Sequence, residues 1–99
     1  MAYDFGAIDV ALAAAAGDDS KLAAELLTMF IDSARQHADL LGRARCDANW
    51  RQASERLQGL AASFGALGLL AAAELALASA PGDPLALRKV KRAIDLIAG

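Results

Sequence analysis

Glycine, aspartate and proline clusters divide this 99-residue chain into segments in which apolar residues recur every three or four positions. That spacing places side chains on one face of an α-helix. About a quarter of the residues are alanine and only two are proline, which favours helices over the β-branched and aromatic runs of a sandwich or barrel. The sequence therefore predicts an all-α fold.

The breaks predict five helices, which cover about residues 7–16, 20–43, 47–64, 66–80 and the residues from 84 onward. Four main helices with short connections are typical of an antiparallel up-and-down four-helix bundle, and the short first helix would pack across one end of it. A chain of this length forms one core, so residues 1–99 are predicted to be a single domain.

Capping residues support these boundaries. An aspartate after Gly17 can cap the second helix, Asp47 the third, and Asp83 the last, where Pro84 suits the first turn. Gly65 is expected to end the third helix, because glycine tolerates the left-handed conformation that often follows a helix.

The apolar stripes identify the predicted core. Helix by helix they comprise Leu22, Leu26, Phe30, Ala34 and Leu41, then Trp50, Ala53, Leu57, Leu60, Ala61 and Phe64, and finally Leu87, Val90, Ile94 and Ile97. His37 shares the stripe of Phe30, and we expect it to be partly buried and hydrogen-bonded within the bundle. One histidine and one distant cysteine cannot complete a metal site, so we expect no metal and no other cofactor.

The third helix carries small residues on the face opposite its core stripe. A rotation of about 100° per residue places there Ala48, Gln52, Glu55, Gly59 and Ala62, with Arg51 beside them. Glycine in mid-helix costs about 1 kcal/mol relative to alanine. Either a partner approaches closely at Gly59, or the glycine is simply tolerated on a solvated face.

The same helix carries a resemblance to a known family. The run Glu55-Arg56-Leu57-Gln58-Gly59, followed after five residues by Gly65, resembles the signature H-x-L-K-G-x5-G of histidine phosphotransfer (HPt) domains. The leucine, both glycines and all spacings match, and the likeness extends over about residues 8–97. The resemblance implies an HPt-like helical bundle.

Two departures from this signature fall on its chemistry. Glu55 stands in place of the phosphorylated histidine, and Gln58 in place of the lysine. A carboxylate only accepts hydrogen bonds, and the missing lysine removes a cation that would balance phosphoryl charge. The resemblance thus implies a binding module without enzyme activity, which docks a response-regulator receiver domain or a histidine kinase. The implied contact residues are Ala48, Arg51, Gln52, Glu55, Gln58, Gly59 and Ala62.

Two other functions remain open. The fourth helix is apolar around most of its circumference, with Leu70 facing the core, Leu75 nearly opposite, and Leu67 and Leu69 on its flanks. The chain could be a structural module that forms a homodimer through Leu67, Leu69 and Leu75, or the bundle could bury them. Active phosphotransfer would need another residue, and His37 is predicted to face the core.

Charge and cysteine content limit the partners and the cellular location that we expect for this protein. A net charge of −2 favours neither nucleic acid nor an anionic membrane as a partner. Residues 60–80 are long enough to span a bilayer, but Glu74 and the break at Gly65 and Gly68 argue against it. We interpret the single Cys46 as a loop thiol, and with no visible secretory signal we expect a cytoplasmic protein.

Overall fold

The computed structural model describes residues 5–99, which form five α-helices and no β-strand. The helices are α1 (Phe5–Ala16), α2 (Ser20–Arg43), α3 (Asp47–Phe64), α4 (Leu67–Leu77) and α5 (Pro84–Ala98). The predicted all-α class is confirmed. Relative to the predicted bounds, α1 begins two residues earlier and α4 ends three residues earlier. Residues 1–4 of the predicted domain lie outside the described part of the chain.

The five helices pack as a helical bundle. Helix α2 contacts α3, α3 contacts α4, α4 contacts α5, and α5 contacts α2 again, while α1 lies against α2 and α3. The molecule is elongated, with principal extents of 43, 24 and 18 Å. Among the described helices, none is long and apolar enough to cross a lipid bilayer.

Local interactions at the helix ends explain three of the boundaries. The Asp19 carboxylate accepts a hydrogen bond from the backbone N–H of Leu22 at 3.0 Å, which caps α2. The Asp83 carboxylate accepts one from the N–H of Ala86 at 3.0 Å, which caps α5. Gly65 ends α3 with a φ of 68°, a left-handed conformation that favours glycine.

Buried apolar side chains from all five helices form the core. The largest of those with almost no exposure are Phe30, Ile8, Leu41, Leu57, Leu69, Ile94 and Val90. Of the predicted core residues, Leu26, Leu60, Phe64 and Leu87 are half-buried. The ring of Phe64 lies 4.7 Å from that of Phe30, centroid to centroid. Aromatic pairs at this separation add to the free energy of packing.

One buried hydrogen bond joins α3 to α4. Trp50 is 2% exposed, and its indole Nε1 donates to the carbonyl oxygen of Ala76 at 2.7 Å. The same carbonyl accepts the backbone N–H of Ser79 at 3.0 Å, just beyond the end of α4. The indole thus satisfies its only polar group inside the core, which a buried tryptophan requires.

Three predictions about single side chains were wrong. Leu22 is 37% exposed, because the eight residues that separate it from Phe30 rotate it about 80° off the stripe. Cys46, with an extended backbone, is the N-cap of α3 and makes no side-chain cap hydrogen bond, so Asp47 is the first helical residue. His37 is half-buried as expected, but its Nδ1 has no hydrogen-bond partner within residues 5–99, since its stripe is apolar.

An ion-pair network links α2 to α5 at the surface. Asp95 accepts hydrogen bonds from Arg35 of α2 at 3.2 Å and from Lys91 of α5 at 3.3 Å. These two cations, Arg35 first, lower the pKa of Asp95 from its ordinary value of 3.8. Arg35 and Asp95 are about half exposed and Lys91 is 74% exposed, so the network contributes little to the free energy of unfolding.

Replacing Trp50 should destabilise the fold more than any surface change. Trp50→Ala leaves a cavity and is expected to lower the free energy of unfolding by about 3–5 kcal/mol. Trp50→Phe keeps an aromatic ring but loses the hydrogen bond to Ala76, whose contribution is about 1 kcal/mol. Urea unfolding followed by far-UV circular dichroism measures both. A Trp50→Phe variant as stable as the parent would show that the hydrogen bond does not hold α3 to α4.

The Asp95 network should make the free energy of unfolding depend on pH. Because the folded pKa lies below 3.8, this stabilisation is present above that pH and is lost as pH falls through the folded value. We expect the small stability difference between the parent and Asp95→Asn to narrow between neutral pH and about pH 2. Urea unfolding at several pH values measures it, with Asp18→Asn as a control that removes no ion pair. A difference that widens in acid would contradict the assignment.

Candidate functional site

The outward side of α3 carries the residues predicted to bind a partner. We call this surface the Glu55 face; it comprises Ala48, Arg51, Gln52, Glu55, Gln58, Gly59 and Ala62. All of them are exposed except Gln58, which is half-buried. The opposite side of α3 is buried through Trp50, Ala53, Ser54, Leu57 and Ala61. The burial of that side determines which way the Glu55 face points, and the predicted exposure of Glu55 and Gln52 is confirmed.

Glu55 presents a free carboxylate. Within residues 5–99 it forms no ion pair, although Arg51 precedes it by one helical turn and Arg56 follows it directly. The seven residues of the Glu55 face include no histidine, cysteine, serine or lysine. The face can therefore bind through hydrogen bonds and charge, but it offers none of the usual nucleophiles of covalent catalysis except a carboxylate.

Gly59 leaves open space above α3. A Cβ atom added at this position would meet no atom within 4 Å. The carbonyl oxygen of Gly59 accepts a hydrogen bond from the hydroxyl of Ser63 at 2.9 Å, one turn further along α3. Internal packing therefore does not require glycine here. Two explanations for this mid-helix glycine therefore remain: it gives a partner close access to α3, or it is simply tolerated on a solvated face.

A groove adjoins the Glu55 face at its N-terminal end. It has a volume of about 540 Å³ and lies between the end of α2 and the start of α3. Its lining residues are Leu40, Arg43, Ala44, Asn49, Gln52, Ala53 and Arg56. Arg43 is paired with Asp39, whereas the guanidinium of Arg56 has no ion-pair partner within residues 5–99. Gln52 belongs to both surfaces, so the groove and the Glu55 face are continuous.

Sequence reasoning missed Leu40 as part of this groove. Leu40 is 50% exposed, whereas its neighbour Leu41 is completely buried. Leu41 lies on the stripe of Phe30 and Ala34, and Leu40 points about 100° away from it, toward the edge of the helix. The position of Leu40 beside the stripe was therefore the available signal.

The structure buries part of the interface that the sequence of the fourth helix suggested. Leu69 is completely buried, so its prediction as an interface residue was wrong. Leu70 and Leu75 are both half-buried, and Leu75 does not point away from the core. The buried side of α4 consists of Leu69, Ala72, Ala73 and Ala76, which let α3 approach closely. Leu67, at 59% exposure, is the one predicted interface leucine that is exposed.

The other candidate groups form no site within the described residues. No three histidine, cysteine, aspartate or glutamate side chains in residues 5–99 could hold a metal ion together. Cys46 is exposed and unpaired. Comparisons with protein-family models, curated proteins and solved structures find no match for this chain.

Proposed function

We propose that this chain is a non-catalytic, HPt-like binding module of two-component signalling. Its Glu55 face would dock a response-regulator receiver domain or a histidine kinase without carrying phosphate. One observation supports this most: the unpaired Glu55 carboxylate lies at the signature's histidine position, beside open space at Gly59. A surface that is free of internal contacts at both positions can meet another protein closely.

The proposal includes an antiparallel up-and-down arrangement of α2, α3, α4 and α5. Contacts between successive helices, together with the contact of α5 with α2, support it, because they close a ring of four. Helix α1 contacts α2 and α3, as expected of a short helix placed across part of the bundle. Within this arrangement Glu55 lies near the middle of α3, away from the loops, so a rigid helix presents it.

Docking without transfer follows from the chemistry of the two departures. Phosphoryl transfer from an aspartyl phosphate needs a neutral nitrogen nucleophile and a cation near the phosphoryl oxygens. Glu55 supplies a negative charge instead, and the half-buried Gln58 supplies a neutral amide. In an acidic receiver pocket Glu55 would meet like charge unless a bound divalent cation lies between the carboxylates. Docking should therefore be tighter with Mg²⁺ present than without it.

A self-associating structural module is the second candidate, and the exposed Leu67 of α4 favours it. Burying one leucine contributes about 1.5–3 kcal/mol, which is too little for a stable dimer without neighbouring contacts. If the chain is such a module, Leu67→Glu should abolish self-association, and the parent protein should not bind a receiver domain.

The binding function is tested with receiver domains and kinase domains from the source proteome. Titration calorimetry in Mg²⁺ should detect at least one partner for the parent protein, and Gly59→Arg should abolish that binding because its side chain fills the open space. Gly59→Ala is the matched control. It should retain binding and raise the free energy of unfolding by about 0.5–1 kcal/mol, since alanine is the better helix former. Equal binding by Gly59→Arg and the parent would exclude the Glu55 face.

The absence of phosphotransfer is tested with a radiolabelled, phosphorylated receiver. The parent protein should acquire no label, because its Glu55 face lacks an imidazole. The double variant Glu55→His with Gln58→Lys restores the missing pair and should acquire label, at least slowly, from a cognate receiver. The single variant Gln58→Lys controls for the added charge and should stay unlabelled. Label on the parent protein would refute a non-catalytic function.

A further inference from the structure

The charges of this protein are divided between two parts of the chain. Helix α5 contains four basic residues and one acidic residue, whereas the rest of the chain contains six basic and eleven acidic residues. Opposite charges in one molecule favour association between molecules if the two sets are exposed and unpaired.

A basic surface covers the outward side of α5. We call it the α5 face; it comprises Leu85, Arg88, Lys89, Arg92 and Leu96. Its three cations form no ion pair within residues 5–99, in contrast to the neighbouring Lys91, which binds Asp95. The leucines at its two ends are 46% and 49% exposed. The α5 face thus combines unpaired positive charge with accessible apolar area, and a groove of about 550 Å³ runs along it.

An acidic surface with similar spacing lies on the first half of α2. We call it the α2 face; it comprises Leu22, Glu25, Met29 and Asp32. These residues are three or four positions apart, so they form one stripe along the helix. Glu25 and Asp32 are exposed and form no ion pair within the described residues, and Met29 is 65% exposed. Lys21, one turn before Glu25, lies on the same side and lines a groove with Glu25 and Met29, so two carboxylates stand against one ammonium group there. The α2 face therefore offers an excess of the opposite charge and its own apolar contacts.

The two faces do not pair within one molecule. Where α2 meets α5, Arg35 pairs with Asp95. A groove between the two helices is lined in part by Ala38, Val90 and Ile94. The charges of both faces point elsewhere and stay unpaired. We propose that the α5 face of one copy of this chain docks on the α2 face of a second copy, with acidic and basic side chains paired between apolar ends.

This contact joins two different surfaces, so each copy keeps one of its faces free for a further copy. It involves a single helix from each side, and contacts that bury less than roughly 1,200 Å² are typical of weak complexes, so we expect association that is weak and sensitive to salt. Neither face includes a residue of the Glu55 face, and this inference does not depend on the proposed receiver binding.

Sedimentation velocity tests the inference on the whole protein at high micromolar concentration. We expect association at about 10 mM salt, where the Debye length is about 30 Å, and monomers at about 1 M, where it is about 3 Å. Arg88→Glu with Arg92→Glu should weaken association at least about tenfold, because like charges then face each other. Arg45→Glu with Arg56→Glu changes the net charge equally and should leave association intact. A parent protein that stays monomeric at low salt would overturn the inference.

The α2 face is tested by Glu25→Lys with Asp32→Lys, which should also weaken association at least about tenfold. Asp47→Lys with Glu74→Lys is its charge-matched control, and Leu67→Glu tests the separate α4 interface. Circular dichroism checks that every variant is folded. Loss of association in only one of the two face variants would overturn the inference, as would loss on Leu67→Glu alone, which would support the α4 interface.

An equimolar mixture of the two face variants gives the sharpest test. In the mixture the intact α5 face of one variant meets the intact α2 face of the other, and the two charge-reversed faces are opposite in charge as well. We expect the mixture to associate at low salt, although each variant alone is monomeric. A mixture that stays monomeric would refute direct pairing of the α5 and α2 faces.

Discussion

The hydrogen bond from the indole of Trp50 to the carbonyl of Ala76 sets the position of α3, on which the candidate site depends. It is buried and short at 2.7 Å, and its acceptor lies on the buried side of α4, where three of the four buried residues are alanine. Small side chains let the backbones of α3 and α4 approach closely, and the indole then fixes how α3 is rotated and where it lies along α4. A shift of one residue in α3 would leave the indole N–H without its acceptor.

The rotation of α3 decides what the site can do. Glu55 follows Trp50 by five residues, which is a rotation of about 140° on a helix, so burial of the indole turns Glu55 toward solvent. Gly59 follows one turn later on the same side, where an added Cβ meets nothing. A buried aromatic contact thus presents a carboxylate and an open stretch of helix together.

Exposed and unpaired charge also lies on surfaces outside α3. The α5 face and the α2 face lie on helices whose apolar sides are buried in the common core, so charge on their outward sides does not disturb packing. Exposed ion pairs contribute little to stability. Unpaired charge on these two faces is therefore available for association. This charge is separate from the charge on the Glu55 face.

The sequence by itself determined the all-α class, most helix boundaries and the outward direction of Glu55, because polar and apolar residues alternate with helical period in α2, α3 and α5. It could not determine which side of α4 is buried. In a helix that is almost wholly alanine and leucine every side is apolar, so the pattern wrongly placed Leu69 at an interface and wrongly turned Leu75 away from the core. Only the tertiary structure decided this, because the close approach of α3 selects the side of α4 where small residues leave room.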